Sequence, residues 1–191
     1  MAEKILTTKK PFYADYYRMT GRRYRRGPAS FCRIFFKHNL KYMLYLRRLQ
    51  NNKLKMFKFY YKLRLRAFTK KYGLEISPAA KIGKGLALGH PYNITVHGET
   101  VIGNNCNLNK GATVGHEPRG KRKGAPILAD RVYVGINSTV VGGINIGEDV
   151  LIAPNAFVNF DVPAHSVVIG NPGKIYPKEN ATVSYVYFLT E

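Results

Sequence analysis

A branched apolar residue returns every six positions over most of the chain between Ile76 and Val162. The series comprises Ile76, Ile82, Leu88, Val96, Ile102, Leu108, Val114, Leu128, Val134, Val140, Ile146, Ile152 and Val158. A period of six matches neither the 3.6-residue α-helix nor the two-residue alternation of an ordinary strand. It is typical of a parallel β-helix, in which short strands meet at turns and equivalent residues stack in columns. We therefore predict an all-β solenoid.

Two further features repeat with the same period. Glycine directly follows the apolar residue at positions 83, 89, 103, 115, 135 and 147. We expect these glycines at turns that need a permissive backbone. A small or branched residue lies four positions after the apolar one, as at Ala80, Ala112 and Val162, and suits a narrow interior.

Positive charge is concentrated ahead of the repeats. Residues 1–73 hold 21 Lys/Arg and 2 Asp/Glu, a net charge of +19 out of +20 for the chain. This asymmetry favours an anionic partner, such as a membrane surface or a charged glycan precursor. No recognisable nucleic-acid-binding module accompanies the basic residues, so we do not expect nucleic acid as a partner.

Composition divides the chain into three regions. Residues 1–73 form a basic arm with helices, residues 74–175 form the solenoid, and residues 176–191 form an apolar tail that we expect to lie back along it. No run of about 18 apolar residues indicates a transmembrane helix, and no apolar segment resembles a signal peptide. The two cysteines do not suggest a disulfide framework. We therefore expect a cytoplasmic protein.

The first region contains a short helical segment. Residues 1–30 are basic and aromatic, and we expect them to be poorly ordered or to form an arm that packs on a neighbour. Apolar residues recur at helical spacing over residues 31–50 and again over residues 53–72. This pattern predicts two amphipathic helices joined by a tight turn, with Gly73 as the stop signal.

Residues 115–127 interrupt the six-residue count. A long excursion from a regular solenoid usually lies on one face and often carries function. The segment opens with His116 and contains Arg119 within the only basic cluster of the repeat region. We regard His116 and Arg119 as candidate substrate-binding residues, while a solvated loop tip is the simpler alternative.

The repeat region resembles a known family. The segments EISPAAKIGKGLALGHPYN, HGETVIGNN and GGINIGEDVLIAPNAFVNFDVP, followed by IGNPGK, are similar to serine acetyltransferases and related hexapeptide-repeat O-acetyltransferases. The resemblance covers about residues 74–175, and the short helical N-terminus is more similar to compact relatives found in polysaccharide biosynthesis. It implies a left-handed parallel β-helix, a homotrimer with active sites between subunits, and acetyl-CoA as the donor, with no metal.

The resemblance also implies a catalytic pair. The family histidine ends a Leu-Asp-His type motif, and the matching residues here are Leu88, Gly89 and His90. The family carboxylate that orients this histidine lies fifteen positions earlier, where the chain has Glu75. A neutral imidazole takes the proton of the acceptor hydroxyl as that hydroxyl attacks the thioester. The carboxylate fixes the tautomer and stabilises the imidazolium.

The family holds CoA along the edge of the last solenoid turns. On that basis we expect Asn155 and Gly170 to contribute exposed backbone groups to the acetyl-CoA site. Lys174 matches a basic position after the Gly-x-Pro turn, and a lysine there pairs with a phosphate of CoA. An ordinary surface lysine is the alternative for Lys174.

Departures from the family pattern concern the acceptor. Serine acetyltransferases have an acid where Gly89 lies, and an Arg-His pair where Gly124 and Ala125 precede Pro126. A free amino acid needs countercharges for its carboxylate and its ammonium group. We therefore expect a hydroxyl of a sugar or polysaccharide precursor as acceptor, with serine as the alternative.

Two interpretations of another class stay open. The solenoid could be a non-catalytic scaffold that binds no acetyl-CoA. It could also be a metal-dependent hexapeptide enzyme of the carbonic anhydrase type, with His90, His97 and His116 converging across subunits, although their spacing does not match such a site.

Overall fold

The computed structural model describes residues 5–191. Four helices come first: α1 Pro11–Thr20, α2 Pro28–Phe36, α3 His38–Asn51 and α4 Lys55–Tyr72. Fifteen short strands follow: β1 Glu75–Ile76, β2 Lys81–Ile82, β3 Ala87–Gly89, β4 Thr95–Val96, β5 Val101–Ile102, β6 Asn107–Asn109, β7 Thr113–Gly115, β8 Ile127–Leu128, β9 Tyr133–Val134, β10 Thr139–Val141, β11 Asn145–Ile146, β12 Val150–Ile152, β13 Phe157–Val158, β14 Ser166–Ile169 and β15 Lys174–Pro177.

The strands coil into a solenoid of about five turns with three flat sides. The three sheets run β1-β4-β7-β10-β13, β11-β8-β5-β2 and β15-β14-β12-β9-β6-β3, and only the β14–β15 pair is antiparallel. In the first sheet Val96 pairs with Val114, Val114 with Val140, and Val140 with Val158. These valines are buried, so the six-residue column is confirmed as the solenoid interior. The architecture matches a left-handed β-helix.

The regular spacing of glycine has a different cause from the one that the sequence suggested. Gly103 and Gly135 do not have positive φ angles. A Cβ at Gly103 would lie 2.6 Å from the carbonyl carbon of Ala129, and one at Gly135 would lie 2.6 Å from the oxygen of Ile152. The next turn therefore excludes a side chain. The left-handed turn positions are mostly taken by other residues, among them Asn105, Asn137, Asp149, Asn155 and His165.

The N-terminal region has more helix than the sequence predicted. The structure does not describe residues 1–4, which begin the expected arm, but residues 11–20 form α1, with Pro11 at its start and Gly21 at its end. Asp15 of α1 is fully buried and accepts hydrogen bonds from Arg47 Nε at 2.8 Å and Arg47 Nη2 at 3.0 Å. The same Asp15 accepts the Leu86 N–H at 2.9 Å, so α1 is fastened to both α3 and the solenoid.

The single helix expected over residues 31–50 is two helices. Lys37 has extended φ and ψ angles of −95° and 106°, and it separates α2 from α3. The predicted second helix corresponds to α4, and Gly73 ends it with a φ of 66° and an N–H bond to Thr69 O at 2.9 Å. Gly73 is therefore confirmed as the stop signal.

The C-terminal tail lies back along the domain, as expected. The backbone of Glu191 exchanges hydrogen bonds with Leu6 and Thr8 at 3.1 and 3.0 Å. The Asn105 side chain accepts the Thr190 N–H at 3.0 Å and donates to the Thr190 carbonyl at 2.9 Å. The tail is therefore held by backbone and side-chain hydrogen bonds.

Within residues 5–191, no helix is long and apolar enough to cross a membrane. Both cysteines are free, with Cys32 exposed and Cys106 buried. Burial raises the pKa of Cys106 to about 12, so this thiol stays protonated and acts as a small apolar residue, as its repeat position indicated.

Candidate functional site

His90 lies on a tight turn that leaves β3. Its φ of 46° is left-handed, and its carbonyl accepts the Tyr92 N–H at 2.8 Å. Leu88 points into the interior, so the chain turns at Gly89 and leaves His90 exposed at the corner between β3 and β4. The start of α3 covers this corner, because Asn39 Nδ2 donates to the Leu88 carbonyl at 3.3 Å. Asn39 had no signal in the sequence.

Gly89, which replaces the family acid, is imposed by the next turn. A Cβ at position 89 would collide with Oδ1 of Asn109. Asn109 is buried, and its Nδ2 donates to the Val134 carbonyl at 2.8 Å. The side-chain amide is thereby fixed in the space that an aspartate at position 89 would need. The missing acid therefore follows from how this chain stacks its turns.

Glu75 begins β1 and is exposed at the mouth of a cleft. Its backbone N–H donates to the Ile94 carbonyl at 2.8 Å, which places Glu75 beside the strand that follows the His90 turn. Among residues 5–191, no hydrogen bond or ion pair joins the Glu75 carboxylate to His90. Glu75 therefore lies beside the strand that the His90 turn leads into, and a contact between the two side chains stays a prediction.

The cleft has a volume of about 870 Å³ and lies between helices α3–α4 and the first solenoid turns. Its walls carry both signs of charge, with Lys62 and Arg66 on α4 and Glu75 on β1. Burial raises the pKa of Tyr42, which also lines the cleft, to about 12, and the charge of Glu75 adds to that rise. The Tyr42 hydroxyl stays protonated and accepts the Ile76 N–H at 2.9 Å.

Two histidines meet on the far wall of the cleft. The rings of His97 and His116 lie 4.9 Å apart, and His116 Nε2 is 3.4 Å from Glu99 Oε2. His97 Nδ1 accepts the Glu99 N–H at 3.3 Å. The structure therefore brings the candidate His116 into the cleft. It also places His97 in the cleft. Val96 pairs with Val114, and this register brings His97 close to the segment that contains His116.

Arg119 does not share the position of His116. Residues 115–126 fold into a small hairpin, in which Glu117 and Gly124 exchange two backbone hydrogen bonds of 2.9 Å. Arg119 is exposed near the hairpin tip, and its N–H donates to Glu117 Oε1 at 3.1 Å. Pro118 reaches the cleft lining, whereas Arg119 does not.

The three candidate CoA residues gather at one corner. The Gly170 carbonyl accepts the Phe157 N–H at 3.0 Å, two residues beyond Asn155, and Lys174 pairs with Ile169 across the β14–β15 ladder. This is the same edge of the solenoid that carries His90, because Gly111, Asn137 and Asn155 continue the column of turns above it. From β3 to β14 the sheet has four steps of about 4.8 Å, or about 19 Å in all.

No group of three His, Cys, Asp or Glu side chains gathers in a metal-binding arrangement anywhere in residues 5–191. The rings of His97 and His116 are close together, but no third such ligand completes a set with them.

The fold and this arrangement of residues define a hexapeptide-repeat β-helix with an N-terminal helical cap. No protein-family model matches the chain. It is 38% identical over 107 residues to the serine acetyltransferase of Helicobacter pylori, a match that spans 56% of this chain and 63% of that enzyme. It is 36% identical over 104 residues to serine acetyltransferase 2 of Arabidopsis thaliana, a match that spans 54% of this chain and 32% of that protein.

Solved structures give the same picture. The serine acetyltransferase of Neisseria gonorrhoeae in complex with serine superimposes with a TM-score of 0.71 at 27% identity, over 87% of this chain and 68% of that one. Soybean serine acetyltransferase superimposes with a TM-score of 0.60 at 24% identity, over 87% of this chain and 66% of that one, which concerns the fold alone. The resemblance to serine acetyltransferase-like hexapeptide-repeat acetyltransferases is therefore confirmed. Each of these relatives is named as a serine acetyltransferase, and none of them is named for a sugar acceptor.

Proposed function

We propose that this protein is an acetyl-CoA-dependent O-acetyltransferase, with L-serine as the first acceptor to test. The observation that carries the proposal is the placement of His90 on the same solenoid edge as Asn155, Gly170 and Lys174. An edge of about 19 Å suits an extended ligand, with its thioester near His90 and its phosphates near Lys174. The similarity to serine acetyltransferases supports the same assignment.

The reaction follows from the chemistry of His90. Its neutral imidazole removes the proton of the acceptor hydroxyl while the oxygen attacks the thioester carbonyl. The tetrahedral intermediate then collapses, the carbon–sulfur bond breaks, and the imidazolium returns the proton to the sulfur of CoA. Glu75 orients the ring, and its side chain is one methylene longer than the aspartate of the family. The absence of a contact in the unliganded chain is compatible with this role, because catalytic hydrogen bonds often tighten only with substrate.

Support for serine comes from the charge of the cleft. Serine carries a carboxylate, and the cleft offers Lys62 and Arg66 of α4 as cations that can pair with it. These groups can take the place of the Arg-His pair that is absent at Gly124 and Ala125. Charge-assisted hydrogen bonds of this kind give both binding and orientation.

A hydroxyl of a sugar or polysaccharide precursor is the second candidate acceptor. The observation that favours it is the lack of charge at Gly89, Gly124 and Ala125, where serine acetyltransferases have charged side chains. A volume of about 870 Å³ also accommodates a monosaccharide unit and part of the larger molecule to which that sugar is attached.

We also propose that the enzyme is a homotrimer. His90 and the cleft that holds His116 belong to different corners of one solenoid, and a neighbouring subunit would complete a site between them. The expected mass in light scattering is three times that of the chain, and a monomer that turns over at full rate would contradict this proposal. Peripheral association with an anionic membrane is a further part of the proposal, supported by the basic helices.

The proposed activity is tested by measuring CoA release from acetyl-CoA with a thiol reagent. L-Serine, free monosaccharides and nucleotide-linked sugars serve as acceptors, with D-serine as a matched control of equal charge. We expect release that depends on L-serine. Release with sugars alone would replace serine by the second candidate. Failure to bind acetyl-CoA in calorimetry would support the non-catalytic scaffold and overturn the proposal.

A further inference from the structure

Helix α4 carries two apolar stripes on opposite sides. Leu65 and Phe68 belong to the buried stripe, and the Phe68 ring lies 6.1 Å from that of Tyr45 on α3. Met56, Phe59 and Leu63 follow the spacing of a second stripe, and they are 73%, 65% and 49% exposed. A helix that packs on one side needs only one such stripe. The second stripe therefore has no partner in the described part of the chain.

Helix α2 extends this exposed apolar surface. Phe31, Phe35 and Phe36 are 69%, 56% and 80% exposed, and the rings of Phe31 and Phe35 stack with their centroids 6.3 Å apart. A groove of about 680 Å³ has Phe31 and Phe35 on one side and Tyr60 of α4 on the other. The two surfaces are therefore continuous. We define the aromatic face by its members: Phe31, Phe35, Phe36, Met56, Phe59, Tyr60 and Leu63.

Charge around the aromatic face has one sign. Residues 16–74 contain 18 Lys/Arg and no Asp or Glu. Asp15, the carboxylate that precedes this segment, is buried against Arg47 and does not reach the surface. Four cations line the groove itself: Arg26, Lys41, Arg48 and Arg64. A second copy of this face would bring like charges together. The partner that fits therefore has a negatively charged surface and an apolar interior.

We propose that the aromatic face binds an anionic lipid bilayer. The apolar side chains of α2 and α4 enter the boundary between headgroups and acyl chains, and the surrounding Lys and Arg pair with the headgroups. Single-stranded nucleic acid is the other common polyanion, but its binding sites use aromatic rings that stack on bases. Met56 and Leu63 cannot stack in that way, and they favour lipid. Lys62 and Arg66 of the same α4 line the cleft, so the cleft opens beside the membrane surface.

The test uses the full chain and sedimentation with vesicles of phosphatidylcholine, with or without phosphatidylglycerol. We expect binding to the anionic vesicles at low salt, release at high salt and no binding to the neutral vesicles. The Met56→Ser/Phe59→Ser/Leu63→Ser variant should lose about tenfold or more in partitioning. The matched control is Ile127→Ser/Tyr176→Ser/Val183→Ser, whose residues are 49%, 50% and 65% exposed, and it should bind as the parent does.

Charge reversal provides a second pair of variants that leaves the apolar side chains in place. Lys55→Glu/Lys70→Glu on α4 should weaken binding about tenfold or more, because each cation contributes appreciably near an anionic leaflet. Lys110→Glu/Lys178→Glu on the solenoid has the same net charge and should bind nearly as the parent does. Melting curves confirm that each variant is folded.

Three outcomes would overturn the proposal. Equal sedimentation with neutral and anionic vesicles would show that binding does not depend on anionic headgroups, contrary to the proposal. Binding of single-stranded RNA that survives in the apolar triple variant, with no vesicle binding by the parent, would assign the surface to nucleic acid. A smaller mass in light scattering for the same variant, again without vesicle binding, would assign the aromatic face to contacts between copies of the chain.

Discussion

The Asn109 side chain occupies the space directly beside the α-carbon of Gly89, one solenoid turn away. Its Nδ2 is held by the Val134 carbonyl at 2.8 Å, so the amide cannot move aside without losing a buried hydrogen bond. Position 89 precedes the candidate general base His90. The backbone that presents His90 is therefore shaped by the residue in the next turn.

Gly89→Asp, which recreates the family acid, should destabilise the protein by about 1–3 kcal/mol because the new Cβ meets the fixed amide. Gly89→Asp combined with Asn109→Ala should be more stable than the sum of the single effects predicts, because the collision is gone. Urea denaturation of the four proteins of this cycle measures the coupling. Simple additivity would show that the two positions do not compete for space.

His90→Ala should lower the rate of acetyl transfer by about 10²–10⁴-fold while acetyl-CoA still binds. Glu75→Gln should give a smaller loss with a changed pH profile, because it removes the charge that stabilises the imidazolium. Steady-state rates and calorimetric binding of acetyl-CoA measure the two effects. His165→Gln serves as the control histidine, since the His165 N–H donates to the Glu148 carbonyl at 3.0 Å, in a turn at a different corner of the solenoid from His90. Near-normal turnover by His90→Ala would contradict its assignment.

Arg47→Met should cost about 3–5 kcal/mol of stability, because it leaves the buried Asp15 carboxylate without its countercharge. Asp15→Asn/Arg47→Met should be less destabilised than Arg47→Met alone. The neutral amide needs no countercharge and still accepts the Leu86 N–H that is 2.9 Å from Asp15 Oδ1. Thermal and urea unfolding check both variants. If Asp15→Asn/Arg47→Met were less stable than Arg47→Met, the unpaired charge of Asp15 would not be the cause of the destabilisation.

The His165 cluster should make stability depend on pH. A hydrogen bond from His165 Nδ1 to Asp149 Oδ2 at 2.9 Å raises the pKa of His165, opposed by a small effect of burial, and Glu148 and Glu179 also face the ring. A raised histidine pKa gives stability that is complete below about pH 6.5 and is lost as pH rises through the folded pKa. His165→Gln should abolish this decline in urea unfolding across about pH 6 to 9. An unchanged slope would exclude His165 as its origin.

Asp149 should act at the opposite end of the pH scale. Burial alone would raise its pKa, but hydrogen bonds from Thr182, His165 and Ala181 outweigh that effect and lower it. A lowered carboxyl pKa gives stability that is present above about pH 3.9 and lost as pH falls through the folded pKa. Asp149→Asn should reduce that acid-side loss in urea unfolding between about pH 5 and pH 3. It should also loosen the tail near Thr182, measured by hydrogen exchange.

Lys174→Glu should weaken acetyl-CoA binding about tenfold or more at low salt, with a smaller effect at high salt, because a phosphate would lose its cation and meet a carboxylate. Lys178→Glu, four residues further along and also exposed, is the control of equal charge change. Calorimetric titration with acetyl-CoA measures both. Equal affinities for the two variants would remove Lys174 from the CoA site.

The solenoid could be predicted because burial leaves little choice. Each turn has one interior column, so an apolar residue must return with every strand, and the column from Val96 to Val158 is visible in the sequence. The cause of the glycine spacing could not be predicted. It depends on how near the adjacent turn lies, as at Gly103 against Ala129, and that distance exists only in the folded chain.

The helical region shows the limits of helical periodicity. The apolar spacing over residues 53–72 predicted α4. The structure buries Tyr61, Leu65 and Phe68 of that series but leaves Leu54 and Phe57 exposed. The same reasoning missed α1, whose attachment depends on a buried Asp15–Arg47 pair separated by 32 residues. Ion pairs between distant residues leave no periodic signal, and composition alone suggested an unstructured basic arm.

Motif matching singled out His90 from the sequence. The structure places it on an exposed turn at the same solenoid edge as Asn155 and Gly170, and its catalytic role stays a prediction. The proximity of His97 to His116 was missed because it depends on the register of β4 and β7. The separation of Arg119 from His116 depends on the hairpin formed by residues 115–126, which the sequence showed only as an interruption.

That hairpin has a consequence for how this chain can change. It leaves the solenoid after β7 and returns at β8, yet Val114 still pairs with Val140 and Val101 with Ile127, as in an uninterrupted coil. Its two hydrogen bonds between Glu117 and Gly124 close its base, and the Gly143 N–H donates to the Arg122 carbonyl at 2.8 Å, which ties the hairpin to the next turn. Residues 119–121 at its tip can therefore be exchanged or lengthened without shifting the stacking of any turn. The hairpin tip and the apolar column of the turns thus lie in separate stretches of sequence, so one can change while the other is maintained.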